Sequence, residues 1–232
     1  MPQRVHVDDP AGLVHRGEAG PLQVPRQHQP GALGQPAEDG LPEGLRRQPT
    51  DEKSSVARGI ARLSRDLPGA LADFRKAEEI NPRSLAALQN QAHVLAELSR
   101  NAEAVAVLDR EIELYPDFVQ ARVDRGVVRA RLQQREAAHA DADDALARDF
   151  GPAIQYQVAC TYALTSRQDA EDLSQALHYL SSALGKGYGF ELIERDRDLD
   201  PIRDRPEFRQ LVAAARALQT AAAQQPAPRS AR

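Results

Sequence analysis

The chain has 232 residues and a formal net charge of −4, with 41% hydrophobic and 28% charged residues. This length suits one domain with tails, or at most two small domains. Only 4% of the residues are aromatic and none is tryptophan, so Ala, Leu and Val must build the core. Ala and Leu favour helices, whereas β-rich domains depend on aromatic and β-branched residues. The composition therefore predicts an all-α protein.

The charge pattern and the single cysteine exclude several classes of protein. Arg and Asp/Glu are interspersed, which argues against nucleic acid as a partner, because a phosphate-tracking surface needs a basic face. Cys160 alone cannot form an internal disulfide or a structural zinc site, so a reducing compartment is expected. Residues 1–20 lack the apolar run of a signal peptide, and no stretch predicts a membrane helix. We expect a cytoplasmic protein without a membrane partner.

Residues 1–50 differ in composition from the rest of the chain. They hold 8 of the 16 prolines and 7 of the 14 glycines, and no apolar periodicity is sustained. Such a segment cannot bury enough apolar surface to offset its ordering entropy, so disorder is expected. A second hypothesis is mistranslation: this mix of Arg, Pro, Gly, Gln and His is typical of a GC-rich gene read in a wrong frame. In that case the native protein extends upstream.

An internal repeat begins near residue 51. Ala70, Ala104 and Ala138 are spaced 34 residues apart, as are Pro82 and Pro116. A period of 34 is typical of solenoids built from helix–turn–helix units. The same interval separates two further columns, Phe74, Leu108 and Ala142, and Ala77, Glu111 and Ala145.

A fourth copy is longer than the others. Ala176 follows Ala138 by 38 residues, and the four extra residues fall in segment 165–174 between two helices. An insertion there costs little, because loop-closure entropy grows slowly with loop length. The sequence predicts four repeats, over residues 51–84, 85–118, 119–152 and 153–190.

The small residues predict where two helices of a repeat meet. Helix axes approach to about 8–10 Å only where the facing side chains are small. The alanine column of the second helix (helix B) would meet small residues of the first (helix A), namely Ala92, Gly126 and Cys160. Cys160 is therefore expected to be a packed, unreactive thiol.

These columns resemble the tetratricopeptide-repeat (TPR) motif, with small residues near motif positions 8, 20 and 27 and proline at 32. Repeat three departs from the motif at Arg129 and Ala142, where larger or more apolar residues are usual. The resemblance covers residues 51–190 and implies an all-α, right-handed α-solenoid of about four helix pairs. The residues of repeat one that match the motif are Ala61, Ala70, Phe74, Ala77 and Pro82. Those of repeat two are Leu88, Ala92, Leu95, Ala104, Leu108 and Pro116.

The segment after the repeats resembles a closing element of bacterial TPR arrays. Residues 191–222 are expected to form capping helices that cover the last pair, and residues 223–232 a disordered tail. The combination is similar to the carboxyl-terminal region of large bacterial TPR proteins, including some serine/threonine kinases, although no kinase motif occurs here. The matching residues are Asp196, Asp198, Leu199, Pro201, Ile202, Arg203, Pro206 and Phe208.

The resemblance also implies a binding site on the A helices, which form the concave wall of TPR proteins. A wall of amides with Val and Leu would suit an extended or helical peptide with apolar anchors. The Lys, Asn and Arg set of a chaperone-type carboxylate clamp is missing: Gln120 and Asp124 stand where the third repeat would carry its Lys and Arg, and only Asn90 fits. The implied partner-binding residues are Gln89, His93, Glu97, Val123, Val127, Arg131, Gln157, Thr161 and Leu164.

Catalytic motifs are missing from the sequence: there is no zinc-protease, P-loop or G-x-S-x-G pattern. We expect no enzymatic activity, no cofactor and no metal. The sequence thus predicts a protein-interaction scaffold. The alternative is a detached regulatory or substrate-docking region of a multidomain signalling enzyme such as a bacterial serine/threonine kinase.

Overall fold

The computed structural model describes residues 48–224, and within that range the regular structure is entirely helical. Eight long helices follow one another: α1 (Glu52–Arg62), α2 (Leu67–Ile80), α3 (Leu85–Glu97), α4 (Asn101–Leu114), α5 (Val119–Arg131), α6 (Arg135–Arg148), α7 (Pro152–Thr165) and α8 (Ala170–Gly185). A 3₁₀ turn (Arg197–Leu199), the short helix α9 (Asp200–Arg203) and the helix α10 (Pro206–Gln224) follow.

Polar side chains at the helix starts fix several of these boundaries. Asp66 and Ser84 accept hydrogen bonds from the backbone N–H groups of Gly69 and Ala87, and Asp51 does so in a reciprocal capping box. Such caps satisfy N–H groups that have no partner inside the helix. The helix boundaries are thus encoded locally, before any packing between helices.

The eight helices pack as a row of antiparallel pairs. Odd-numbered helices (the A helices) pack on the even-numbered helix (the B helix) that follows, and each B helix packs on the A helix of the next pair. The A helices α5 and α7 also contact each other directly. Each helix therefore buries its apolar stripe only against its own pair and its neighbours. The predicted all-α solenoid is confirmed.

The small-residue column lies where the sequence predicts it. Ala70, Ala104, Ala138 and Ala176 are all completely buried. A Cβ atom added to Gly126 would lie 3.2 Å from the carbonyl oxygen of Ala138, so the two backbones touch at this point. Close approach of helices A and B is the reason that only small residues occupy these positions.

Repeat one departs from the predicted register. Ala61, expected in its small-residue pattern, is exposed; Gly59 instead contacts helix B, where a Cβ would lie 2.5 Å from the ring of Phe74. The turns that follow α3 and α5 contain a left-handed residue, Ser99 and Gln133, whereas the turn after α1 has none. The turn between α1 and α2 therefore follows a different path from the corresponding turns of repeats two and three.

The carboxyl-terminal helices cover the last pair. Leu199, Ile202 and Phe208 are at most 5% exposed and belong to the hydrophobic core of repeats three and four. The 3₁₀ turn and α9 pack on α7, and α10 packs on α8. These elements bury apolar surface that the last repeat would otherwise leave open.

Two expectations concern parts of the chain that are not described. The predicted disorder or mistranslation of residues 1–50 falls outside the described residues, except for residues 48–50. The predicted disordered tail, 223–232, does so from residue 225 onward, while α10 continues to Gln224. Between residues 48 and 224, no helix is at once sufficiently long and sufficiently apolar to span a bilayer.

Candidate partner-binding surface

The A helices of repeats two to four present one polar surface, which we term the A-helix face. The charge of Arg131 on α5 acts on His93 of α3 and on Asp124 of α5, so these side chains share one electrostatic environment. The face consists of Gln89, His93, Glu97, Gln120, Asp124, Arg131 and Gln157, each of which is exposed or only partly buried.

Three of the residues predicted to line the wall are buried instead. Val123 and Thr161 are 1% exposed and Val127 is 8% exposed. Both valines belong to the core of repeats three and four, and the Thr161 hydroxyl donates to the carbonyl of Gln157 on its own helix. Adjacent A helices pack so closely that these side chains are enclosed between repeats. The predicted wall is corrected accordingly.

The other six predicted residues remain accessible to different degrees. His93 and Glu97 are exposed, and Gln89, Arg131, Gln157 and Leu164 are partly buried. Leu164 packs against the core, so it contributes more to packing than to an open surface. A binding role for any of them stays a prediction.

A network of amides and a carboxylate joins α5 to α7. The Nε2 of Gln120 donates to Asp124 Oδ1 at 2.8 Å and to Gln157 Oε1 at 2.6 Å, and Gln157 Nε2 donates to Asp124 Oδ1 at 2.9 Å. Among the described residues no donor is bonded to Asp124 Oδ2. Burial raises the pKa of Asp124 to about 6, opposed by these two hydrogen bonds and by the charge of Arg131. At neutral pH the network therefore carries a negative charge.

Arg131 is engaged by the cap. Its Nε and a terminal nitrogen donate to the two carboxylate oxygens of Asp198, each at 2.8 Å. Burial disfavours the charge of Arg131, but the hydrogen bonds and charge of Asp198 outweigh this and raise its pKa. Two-point pairing of this kind is among the stronger ionic contacts. The cap thus reaches the A-helix face and neutralises its arginine.

His93 and Glu97 lie one turn apart on α3. Although the His93 side chain is exposed, surrounding protein removes part of its water, and this desolvation lowers its pKa. Arg131 lowers the pKa further, whereas Glu97 opposes the change. His93 is therefore neutral at pH 7, and Glu97 supplies the charge on this part of the face.

Glu111 is an unexpected carboxyl group behind the face. It lies on α4 in the column otherwise occupied by Ala77 and Ala145, it is 1% exposed, and both of its carboxylate oxygens lack a hydrogen-bond partner among the described residues. Burial raises its pKa to about 8, and the charge of Asp124 acts in the same direction. Glu111 is therefore mostly protonated at pH 7.

Sequence reasoning missed three important residues of this surface. Gln120 and Asp124 lie on α5 at positions relevant to the carboxylate clamp, where they signalled only that the clamp is missing. Asp198 stood out as part of the capping motif. Nothing in the sequence pairs it with Arg131, because 67 residues separate the two.

His139 lies beside Thr165 and Asp172, which together are the residue types of a nucleophile–base–acid chain. His139 Nε2 lies 3.0 Å from Thr165 Oγ1 and 3.6 Å from Asp172. Both contacts use the same ring nitrogen and Thr165 is completely buried, so this group does not form a nucleophile–base–acid chain. The Cys160 thiol is buried, which raises its pKa and suppresses thiolate formation. Residues 48–224 contain no cluster of three or more side chains suited to a metal ion.

Comparisons with known proteins identify the fold. No family model and no curated protein matches the sequence. The structure resembles the APC/C hetero-tetramer Cut9–Hcn1 with a TM-score of 0.59 at 16% identity, covering 74% of this chain and 33% of that one. TTC0263, a thermophilic TPR protein of Thermus thermophilus, matches with a TM-score of 0.53 at 23% identity, covering 75% of this chain and 85% of its own. MamA matches with a TM-score of 0.50 at 14% identity, and the match covers 72% of this chain and 97% of the MamA chain.

These similarities are similarities of fold. The chain spans only a third of the Cut9–Hcn1 chain that it matches, but most of TTC0263 and MamA. The resemblance to TPR repeats in the sequence is therefore matched by a TPR fold in the structure.

Proposed function

We propose that this chain, which has the fold of a TPR protein, is a protein-interaction scaffold that binds a peptide segment on the A-helix face. The observation that carries the proposal is the continuity of this face. Gln89, His93, Glu97, Asp124 and Gln157 come from the A helices of three successive repeats, and each of them is exposed or only partly buried. An extended or helical segment can contact all three repeats at once.

The surroundings of this face supply a rigid support. The backbones of α5 and α6 touch at Gly126, and the side chains between α5 and α7 are enclosed. A preorganised surface loses little entropy when a partner binds, which favours affinity. The role is one of binding and positioning, with no chemical step assigned to the chain.

Selection from a random dodecapeptide display library on the immobilised full-length chain tests the proposal. Recovered peptides are then measured against a His93→Ala/Glu97→Ala/Gln157→Ala variant of the face. The matched control carries Glu113→Ala, an exposed residue of the B helix α4 with no ion pair among the described residues. We expect the face variant to weaken binding by about tenfold or more and the control to leave it unchanged. Equal affinities for both variants would show that the peptides bind elsewhere.

A further inference from the structure

We infer that the A-helix face selects a cationic segment, rich in Lys or Arg, and rejects an acidic one. This inference rests on the proposed function and specifies the chemistry of the partner. It concerns the charge balance of the face, which is set mainly by four residues: Glu97, Asp124, Arg131 and Asp198.

Several hydrogen-bond acceptors of the A-helix face have no donor among the described residues. Asp124 uses Oδ1 for both glutamine amides, which leaves Oδ2 without a donor among the described residues. Gln120 donates through Nε2 in both of its side-chain hydrogen bonds, so its Oε1 is left as an acceptor. Glu97 adds an exposed carboxylate with no hydrogen bond or ion pair in the described part of the chain. A partner that supplies donors and positive charge complements these groups.

Arg131, the arginine of the face, is already paired with a carboxylate of the cap. Both donor groups that Arg131 directs at Asp198 form 2.8 Å hydrogen bonds, and the Asp198 side chain is only 13% exposed. An acidic partner would have to compete with this carboxylate for the positive charge of Arg131. Asp198 thereby acts as an internal substitute for an acidic ligand.

The carboxyl group of Glu111 lies behind the A-helix face. Glu111 is 1% exposed and has no hydrogen-bond partner in the described chain, and Asp124 is close enough to affect its titration. A second negative charge near Asp124 would be strongly unfavourable, since both groups are partly or fully removed from water. Glu111 therefore stays mostly protonated at pH 7 and adds no charge of its own, so the ionised Asp124 sets the sign of ligand that is favoured at this junction.

The library selection also tests this inference, through the composition of the recovered peptides. We expect Lys and Arg to be enriched over the unselected library. Replacing those residues by Gln in a recovered peptide should weaken binding by about tenfold, and raising the salt concentration should weaken it as well. Recovery of peptides without this enrichment would overturn the inference and leave the proposed function standing. No recovery above a blank support would overturn the proposed function, and the inference with it.

Variants of the face give a second, independent readout. Glu97→Gln and Asp124→Asn each remove one charge while keeping the shape of the side chain, and Glu113→Gln is the control with the same charge change. We expect the two face variants to bind a cationic peptide several-fold more weakly than the wild type does, and the control to bind it with unchanged affinity. Asp198→Asn frees Arg131 and should improve binding of a Glu-containing version of the same peptide. An unchanged preference in all of these variants would contradict the assignment; circular dichroism verifies that each is folded.

Discussion

Arg131 of α5 and Asp198 of the cap form a two-point ion pair although 67 residues separate them along the chain. The pair ties the carboxyl-terminal segment to the third repeat, while the apolar residues of that segment pack on the fourth repeat. The cap is therefore held at two places, one ionic and one hydrophobic. Because Asp198 pairs with Arg131, it also neutralises the positive charge that Arg131 would otherwise give to the A-helix face.

A double-mutant cycle measures the energy of this pair. Both side chains are less than a third exposed, so we expect Arg131→Ala and Asp198→Ala each to destabilise the protein. The coupling energy should be about 1–2 kcal/mol, between the values for exposed and buried pairs. Urea unfolding of the two single variants and the double variant gives this number. Additive effects of the two changes would mean that the pair contributes nothing.

The buried Glu111 makes stability depend on pH. Its pKa is raised by burial from 4.5 to about 8 in the folded protein. The folded state thus holds this proton more tightly than the unfolded state does, so the contribution of Glu111 to stability is most favourable below pH 4.5. Across the window from pH 4.5 to 8, each pH unit removes about 1.4 kcal/mol. Above pH 8 this loss levels off.

Replacing Glu111 by Gln removes the titration and keeps the shape. The free energy of unfolding of Glu111→Gln minus that of the wild type should increase between about pH 5 and pH 9, by about 2–4 kcal/mol. Glu113→Gln, an exposed change of the same charge on the same helix, should show no such increase. A pH-independent difference for Glu111→Gln would show that Glu111 is not buried as an unpaired acid.

Two glycines test the close contact between helices A and B. Gly59→Ala would place a Cβ 2.5 Å from the buried ring of Phe74, whereas nothing lies within 4 Å of a Cβ added at Gly185. We expect Gly59→Ala to destabilise the protein by about 1–3 kcal/mol through overpacking. Gly185→Ala, at the end of α8, should be neutral or slightly stabilising. Thermal unfolding compares them, and equal melting temperatures would refute the shifted register of repeat one.

Asp73 and Asp141 each accept hydrogen bonds from two arginines of the preceding A helix, but their surroundings differ. The side chains of Arg58 and Arg62, the partners of Asp73, are 9% and 7% exposed. Those of Arg125 and Arg129, the partners of Asp141, are 18% and 21% exposed and also contact Asp109.

We therefore expect Asp73→Asn to be the more damaging of the two changes. It removes the carboxylate that pairs two buried guanidinium groups, and among the described residues Arg62 keeps only the longer 4.0 Å ionic contact with Asp66, so we expect a cost of about 3–5 kcal/mol. After Asp141→Asn the two arginines keep Asp109 and water, so the loss should be smaller by at least about 1 kcal/mol. Denaturant unfolding of both variants decides the order. A larger loss for Asp141→Asn would contradict this view of the two clusters.

The repeat architecture was predictable because the requirement for small side chains recurs once per helix pair. Ala104 and Ala138 are buried as their column predicts. The register of α1 was not predictable from the 34-residue period, because it depends on the turn between the helices. Ser99 and Gln133 adopt positive φ in repeats two and three, and the turn after α1 lacks such a residue. Backbone conformation in turns therefore limited the prediction for repeat one.

The candidate site was predictable only in part. Exposure of His93 and Glu97 agrees with their helix positions, but Val123 and Thr161 are enclosed by the neighbouring A helix. A position within one helix does not show how deeply the next repeat covers it. Contacts between residues far apart in the sequence, such as Arg131 and Asp198, depend on the path of the cap. The 34-residue period does not predict that path.

Hydrogen–deuterium exchange with a recovered peptide shows directly whether the peptide binds on the A-helix face. The full-length chain is compared with and without the peptide at saturating concentration. We expect added protection of backbone amides in the A helices α3, α5 and α7, and no change in the B helices α4 and α6. Protection confined to the B helices, or none in α3, α5 and α7, would contradict binding on the A-helix face.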